Sequence, residues 1–374
     1  MLNLANTIDK INYLCYYVLF CIAKLKLVAQ KRSTHSREEL TMDDFESVRG
    51  YLLAQLPALC QRLFGGELCS AEARKLFLEA LLANAELMDR NVNLGMTEAV
   101  PASRDLLDFL GVQLVSRESQ LIGAEHVQTA LDFAAQGGNV LMIQNHTSGA
   151  DTLVWDTLLN RVFPNRPADD FAYMAGHVVN FYLLPVLLSA GWRRFQIYSS
   201  KYKAQAEALG LTTEQTTNQN VRALTDLVNY CSTGGRMIGL YPEGGRGEGA
   251  LIKGDARTAK IPEIVASVSP KGLMILPTYV REATSILPVV RCPEEFGLFM
   301  EHIRAGTAHI TAGQPMLYEE MLPQQAEICA CRGELGVDEN VATKILVHQT
   351  MMLAIAALTQ TIAARGPWAT RRWA

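Results

Sequence analysis

The sequence predicts an α/β protein, a mixed central sheet flanked by helices with a smaller N-terminal helical domain, and three observations carry that reading. Beyond Arg104, short apolar runs alternate with helix-length stretches, the pattern of a sheet covered by helices. Ahead of it, apolar residues recur at three- and four-residue steps, as on amphipathic helices. Two of the apolar runs end directly in polar or glycine-rich turns, and open α/β sheets hold their ligands at such strand ends.

In chain order, the amino terminus comes first. Ile11 to Ala23 form an apolar run broken only by Asn12, and residues 1 to 37 carry six positive charges (Lys10, Lys24, Lys26, Lys31, Arg32, Arg37) against Asp9. Thirteen residues rise about 20 Å as a helix, short of the roughly 30 Å hydrocarbon core, so a membrane span is disfavoured. A packed helix, an interfacial anchor drawn to anionic lipid, and the core of a signal-like segment stay open. From Met42 onward, Leu52, Leu53, Leu56, Leu59, Cys60 and Leu63 mark one amphipathic helix, kinked at Pro57, and Gly65-Gly66 ends it. Ala71 to Met88 repeats the pattern. These helices form a domain over 1-98, with 1-41 an extension or interfacial helix, and Arg90 to Arg104, with its Asn, Gly and Pro residues, is the boundary.

The remainder, 99-374, reads as the catalytic domain. Its strands are expected at 139-144, 171-175, 195-198, 236-241, 273-277 and 308-312. Its helices are expected at 125-136, 150-162, 178-190, 217-233, 294-305 and 340-364. The tail around Trp368 to Trp373 reads as a frayed end.

Composition narrows the function. The chain has 374 residues, 49% hydrophobic and 19% charged, enough to bury a sizeable core. A net charge of -4 and a pI near 6.0 argue against nucleic acid as the main partner. The eight cysteines fall without zinc-like or disulfide-framework spacing, which reads as packing thiols in a reducing, cytoplasmic compartment. Peripheral contact with the inner face of a membrane stays open.

Two motifs carry chemistry. Asn145-His146-Thr147-Ser148-Gly149-Ala150-Asp151 follows the apolar run Val140 to Ile143 and precedes a helical stretch. Residues five apart lie about 140° apart on a helix and cannot share a face. With His146 just ahead of the helix and Asp151 in its first turn, however, the carboxylate can reach back to one ring nitrogen. That contact fixes the tautomer and leaves the other nitrogen to take a proton. The positive helix end opposes charging of the imidazole and Asp151 favours it, which poises His146 as a general base. The second motif follows the apolar run Arg236 to Tyr241. Pro242-Glu243-Gly244-Gly245-Arg246-Gly247-Glu248-Gly249 exposes backbone N–H groups and presents Arg246, a cradle for a phosphate or other anion.

Together these motifs resemble the glycerol-3-phosphate acyltransferase family, whose hallmark is His, four residues, Asp, followed by a Pro-Glu-Gly turn carrying an Arg. The likeness covers roughly residues 100 to 320 and is closest to the soluble, plastid and chlamydial-type branch. The segments NHTSGAD, IYSSK and YPEGGR occur in that branch's order. The resemblance implies an acyltransferase with His146 and Asp151 catalytic and with Gly244, Gly245, Arg246 and Lys201 at the acceptor phosphate. Leu276-Pro277-Thr278 is similar to the family's final short motif, which places Pro277 near the acyl site. It further implies a fatty acyl thioester of acyl carrier protein or coenzyme A as co-substrate, glycerol 3-phosphate as acceptor, and no metal or redox cofactor. Ser148 is not read as a nucleophile, because Gly-x-Ser-x-Gly is absent and direct transfer needs no acyl-enzyme.

The chain departs from the branch at two cationic positions. Glu248 stands where a second Arg is expected, and Tyr202 where a His often follows the matching Lys. A carboxylate about 4 Å from a phosphate costs roughly 1 kcal/mol even in water. Either Glu248 points away, or Arg193, Arg194 or Lys203 compensates, or the acceptor differs: lysophosphatidate, or a specialised alcohol or amine. Met174-Ala175-Gly176-His177 likewise has His177 where an acidic residue is common. The cluster Arg193, Arg194, Lys201 and Lys203 offers a surface to steer an acidic carrier protein. A non-catalytic lipid-binding protein of the same fold is the remaining alternative.

Overall fold

The computed structural model describes residues 70–84, 95–146, 151–166, 171–176, 189–198, 212–241, 260–281 and 306–322. The amphipathic helix with Pro57, nearly all of the helix expected at 178-190, and those expected at 294-305 and 340-364 lie outside the described residues. The fold is α/β, a mixed sheet with helices on both faces.

The described elements run α1 (Ala71–Ala83), β1 (Met96–Thr97), α2 (Pro101–Leu114), β2 (Gln120–Ile122), α3 (Ala124–Ala135) and β3 (Asn139–Gln144). They continue α4 (Asp151–Val162), β4 (Phe171–Gly176), β5 (Arg193–Ile197), α5 (Thr213–Ser232) and β6 (Met237–Leu240). Last come α6 (Ile261–Val268), β7 (Leu273–Arg281), β8 (His309–Ala312) and β9 (Met316–Leu317). The strands lie in the order β1-β5-β4-β6-β3-β7-β8-β2, with β9 also paired to β7.

The local chemistry explains these boundaries. Ser70 caps α1 by accepting the Ala73 N–H at 3.0 Å. Thr212 and Gln215 close a reciprocal capping box on α5. Pro101, expected within a boundary segment, opens α2, because its fixed φ and missing N–H suit the first helical position. β3 is buried at all six positions, as expected of a strand with parallel neighbours and helices above and below. Its side chains feed two cores. Val140 and Met142 pack with Phe77, Leu106, Val127, Leu153 and Trp155 from α1 to α4. Leu141 and Ile143 pack with Leu227, Tyr230, Ile261 and Val265 from α5 and α6.

β5, β4, β6, β3 and β7 are mutually parallel, so their carboxyl ends share one edge. β7 also explains how a central strand tolerates Pro277. β9 pairs at Met274 and Ile275, and β8 takes over at Thr278. Pro277 falls in the gap between them, where its carbonyl accepts the Gly313 N–H at 2.8 Å and no donor is required of it. Among the described residues no helix is long and apolar enough to cross a membrane.

Candidate active site

The shared carboxyl edge is where the first motif lies. β3 ends at Gln144, and Asn145 extends its ladder with a side chain in place of backbone. Its Nδ2 donates to the Val280 carbonyl at 2.9 Å and its Oδ1 accepts the Val280 N–H at 2.7 Å. Both groups are buried, so the amide clamps the end of β3 to β7 while the chain turns away toward α4. His146 is the next residue.

Asp151 is the first residue of α4, and its carboxylate oxygen lies 2.9 Å from His146 Nδ1. The carboxylate side chain is 1% exposed and the imidazole 26%, so the buried partner holds a ring that stays partly exposed. With Nδ1 committed to Asp151, the ring's other nitrogen, Nε2, is the atom able to accept a proton from outside.

Strand register brings Tyr241, the residue ahead of the second motif, to the same place. Ile143 pairs with Leu240 in the parallel ladder of β3 and β6, so Tyr241 follows beside Gln144. The Tyr241 and His146 ring centroids are 4.4 Å apart, with 30° between their planes. Tyr241 immediately precedes the glycine-rich segment in sequence. Gly244, Gly245, Arg246, Lys201 and His177 themselves lie outside the described residues. Pro277 pairs with Ile143 and is buried on the face opposite His146, where its ring meets Gly313.

A charged network backs the dyad on the α4 side. Asp156, five residues beyond Asp151 on α4, takes Arg104 at 3.1 and 2.5 Å and Arg166 at 2.5 Å. Its side chain is 7% exposed and those of Arg104 and Arg166 are 14% and 3%. Burial holds the Tyr173 phenol far above its ordinary range; Asp156 adds to that, Arg166 and Arg104 oppose it, and Asp151 contributes a further rise. Tyr173 thus stands, neutral, within the field of both aspartates.

Two expectations need correction. Arg194 is 1% exposed, donates to the Ser189 hydroxyl, and is drawn down to about 10 by burial. Arg193 pairs with Glu98 at 2.7 Å and donates to the Tyr230 hydroxyl. Arg194 is buried and Arg193 is paired, so neither is the surface cation expected of it; Lys201 and Lys203 lie outside the described residues. Glu248 and Tyr202 lie outside the described residues, and Arg194 stands far from the dyad. Arg194 pairs with Tyr173, which pairs with Gly239, which pairs with Met142, four residues short of His146. At about 4.8 Å per strand and 3.3 Å per residue that is over 15 Å from the imidazole. Arg194 opens a run of three buried residues in β5, so standing beside Arg193 in sequence does not make it a surface cation.

Asn145 and Tyr241 are the residues that motif reading passed over. Tyr241 had a signal, an aromatic closing an apolar run at a strand end. Asn145 had none, since its partner is 135 residues away.

No protein-family model matches the chain. It is 30% identical over 111 residues to the chloroplastic glycerol-3-phosphate acyltransferase of Phaseolus vulgaris, a match covering 30% of this chain and 23% of that protein. It is 31% identical over 111 residues to a chloroplastic glycerol-3-phosphate acyltransferase of Cucurbita moschata, covering 30% and 24%. The match thus spans about a quarter of the length of these curated relatives. Over just under a third of its length, the chain is similar to chloroplastic glycerol-3-phosphate acyltransferases.

Proposed function

We propose that the protein is an acyltransferase that moves a fatty acyl chain from a thioester of acyl carrier protein or coenzyme A to the sn-1 hydroxyl of glycerol 3-phosphate. The observation that carries this reading is the partly exposed imidazole of His146, bound through Nδ1 to buried Asp151 at 2.9 Å. His146 Nε2 takes the hydroxyl proton as that oxygen attacks the thioester carbonyl carbon. The tetrahedral intermediate collapses with loss of the C–S bond, and the imidazolium returns its proton to the departing thiolate. Asp151 holds the tautomer and stabilises the imidazolium. No covalent acyl-enzyme, metal or redox cofactor enters the scheme.

In this reading Arg246 and Lys201 bind the acceptor phosphate, the Gly244-Gly245 backbone supplies donors to the anion and to the oxyanion, and Pro277 shapes the β7 end that borders the acyl chain. The relatives' names, both glycerol-3-phosphate acyltransferases, support acyl transfer and this acceptor. Peripheral contact at a membrane surface suits a lipid product.

Glu248 favours a second reading, the same chemistry on an acceptor with less negative charge, such as a specialised alcohol or amine, because Arg193 and Arg194 are engaged elsewhere. Initial rates of thiol release from acyl carrier protein and coenzyme A thioesters, measured with glycerol 3-phosphate, lysophosphatidate, glycerol and an amino alcohol, decide between them. Glycerol 3-phosphate is expected to have the highest kcat/KM. A phosphate-free acceptor preferred over it establishes the second reading, and no transfer to any acceptor removes both.

A further inference from the structure

We infer that Tyr241 is a positioning residue for the base, a π surface that holds the imidazole in plane and stabilises it as it becomes charged; the inference rests on the acyl-transfer reading above. Asp151 meets the ring in its plane, at Nδ1, 2.9 Å away. The Tyr241 ring, 4.4 Å away and tilted by 30°, constrains the plane. The contact is dictated by the sheet. Residues 142, 144 and 146 share a face of β3, and Tyr241 lies beside Gln144 in the adjacent parallel strand on that same face, with its ring against the core that holds Met142. Reaching along the strand by one pleat brings it alongside His146.

The position beneath Tyr241 on that face is Gly239, and this absence of a side chain is filled. A Cβ at Gly239 would stand 2.4 Å from Tyr173 Cδ1, so the Tyr173 ring occupies the space, with Trp192 at 5.6 Å and Phe171 at 6.5 Å behind it. Tyr241 therefore rises from a strand whose flank is packed with aromatic rings, and stands on a rigid base.

The chemistry explains why an aromatic is useful there. During transfer the imidazole gains a proton and becomes a cation, and the face of a phenol ring attracts a cation within about 6 Å more strongly than a neutral ring. Only an interaction that strengthens toward the transition state raises the chemical rate. Tyr241 meets that condition, since its partner is neutral before the step and charged during it. A ring that merely filled space would bind both states alike.

The test compares wild type with Tyr241→Phe and Tyr241→Leu, using the full chain. In NMR spectra the His146 Hε1 resonance, assigned by its loss in His146→Gln, carries the ring-current shift of a stacked aromatic. It is expected to persist in Tyr241→Phe and to be lost in Tyr241→Leu. In acyl transfer to glycerol 3-phosphate, Tyr241→Leu is expected to lower kcat roughly 5- to 20-fold while KM changes less than about twofold. Tyr241→Phe is expected to stay within about twofold of wild type, because the π face and not the hydroxyl carries the effect. An unchanged Hε1 shift in Tyr241→Leu overturns the inference, as does an effect confined to KM, or a loss in Tyr241→Phe as large as in Tyr241→Leu. Should wild type transfer no acyl chain, the proposed function fails, and the Hε1 shift still decides whether Tyr241 holds the ring.

Discussion

Asn145 and His146 are neighbours with different tasks, one fastening the strand and the other facing outward from it. Asn145→Ala removes both bonds to Val280 and leaves a buried N–H and C=O without partners. Each such group costs about 1–3 kcal/mol, so the variant should lose roughly 2–6 kcal/mol in urea unfolding. Its transfer rate should also fall, since the turn carrying His146 is no longer fixed; full stability in Asn145→Ala removes the clamp from this account. At this scale the sequence was legible where chemistry and spacing are local. His146 and Asp151 are five residues apart, and their contact follows from a strand end meeting a helix start. Asn145 to Val280 and His146 to Tyr241 span 135 and 95 positions, and only the register of three strands reveals them. Arg194 was misread for a related reason, because its burial depends on the strands beside it and not on its own neighbours in sequence.

At the level of elements, β3, β4, β6 and β7 were readable as apolar runs because parallel strands buried on both faces need little else. β1, β2 and β9, with two or three residues each, carry no such signal; they are strands only through the partners they meet. Pro101 and Pro277 show the same residue type serving two purposes, one starting a helix and one filling a gap between two edge partners. Gly239 is where one element's sequence makes room for another. Gly239→Ala forces a methyl against the Tyr173 ring at 2.4 Å in a flank already filled by Phe171 and Trp192. Overpacking of this kind costs about 1–3 kcal/mol. The urea midpoint should drop accordingly, and a midpoint at or above that of wild type contradicts the packing described for β4 and β6.

For the whole molecule, the two cores on either face of the sheet make stability respond to pH through groups that take no part in the chemistry. The Cys231 thiol, on the buried face of α5, is pushed from 9.0 up to about 12 by burial. Tyr173 is raised in the same direction. Between 9 and 12 the unfolded chain releases the thiol proton while the folded one keeps it, so stability present below 9 is lost as pH rises. Arg194, drawn down to about 10, releases its proton first in the folded state and acts in the opposite sense above that pH. The clean window is therefore 9 to 10. There, the unfolding free energy of wild type should fall by up to about 1.4 kcal/mol per pH unit more steeply than that of Cys231→Ala. Equal slopes would show that the thiol titrates normally.

The α/β class and the sheet edge that carries His146 were legible from alternating patterns and a strand-end turn, whereas the meeting of His146 with Tyr241 depended on β3 and β6 being adjacent and parallel. That adjacency supports the central claim, a base at His146 drawing a proton from an acceptor hydroxyl. Single-turnover acyl transfer to glycerol 3-phosphate by wild type and by folded His146→Ala tests it most directly. The account predicts a rate lower by about 100- to 10,000-fold in the variant, with its far-ultraviolet circular dichroism and urea midpoint retained. A folded His146→Ala protein that transfers acyl chains at the wild-type rate would contradict it.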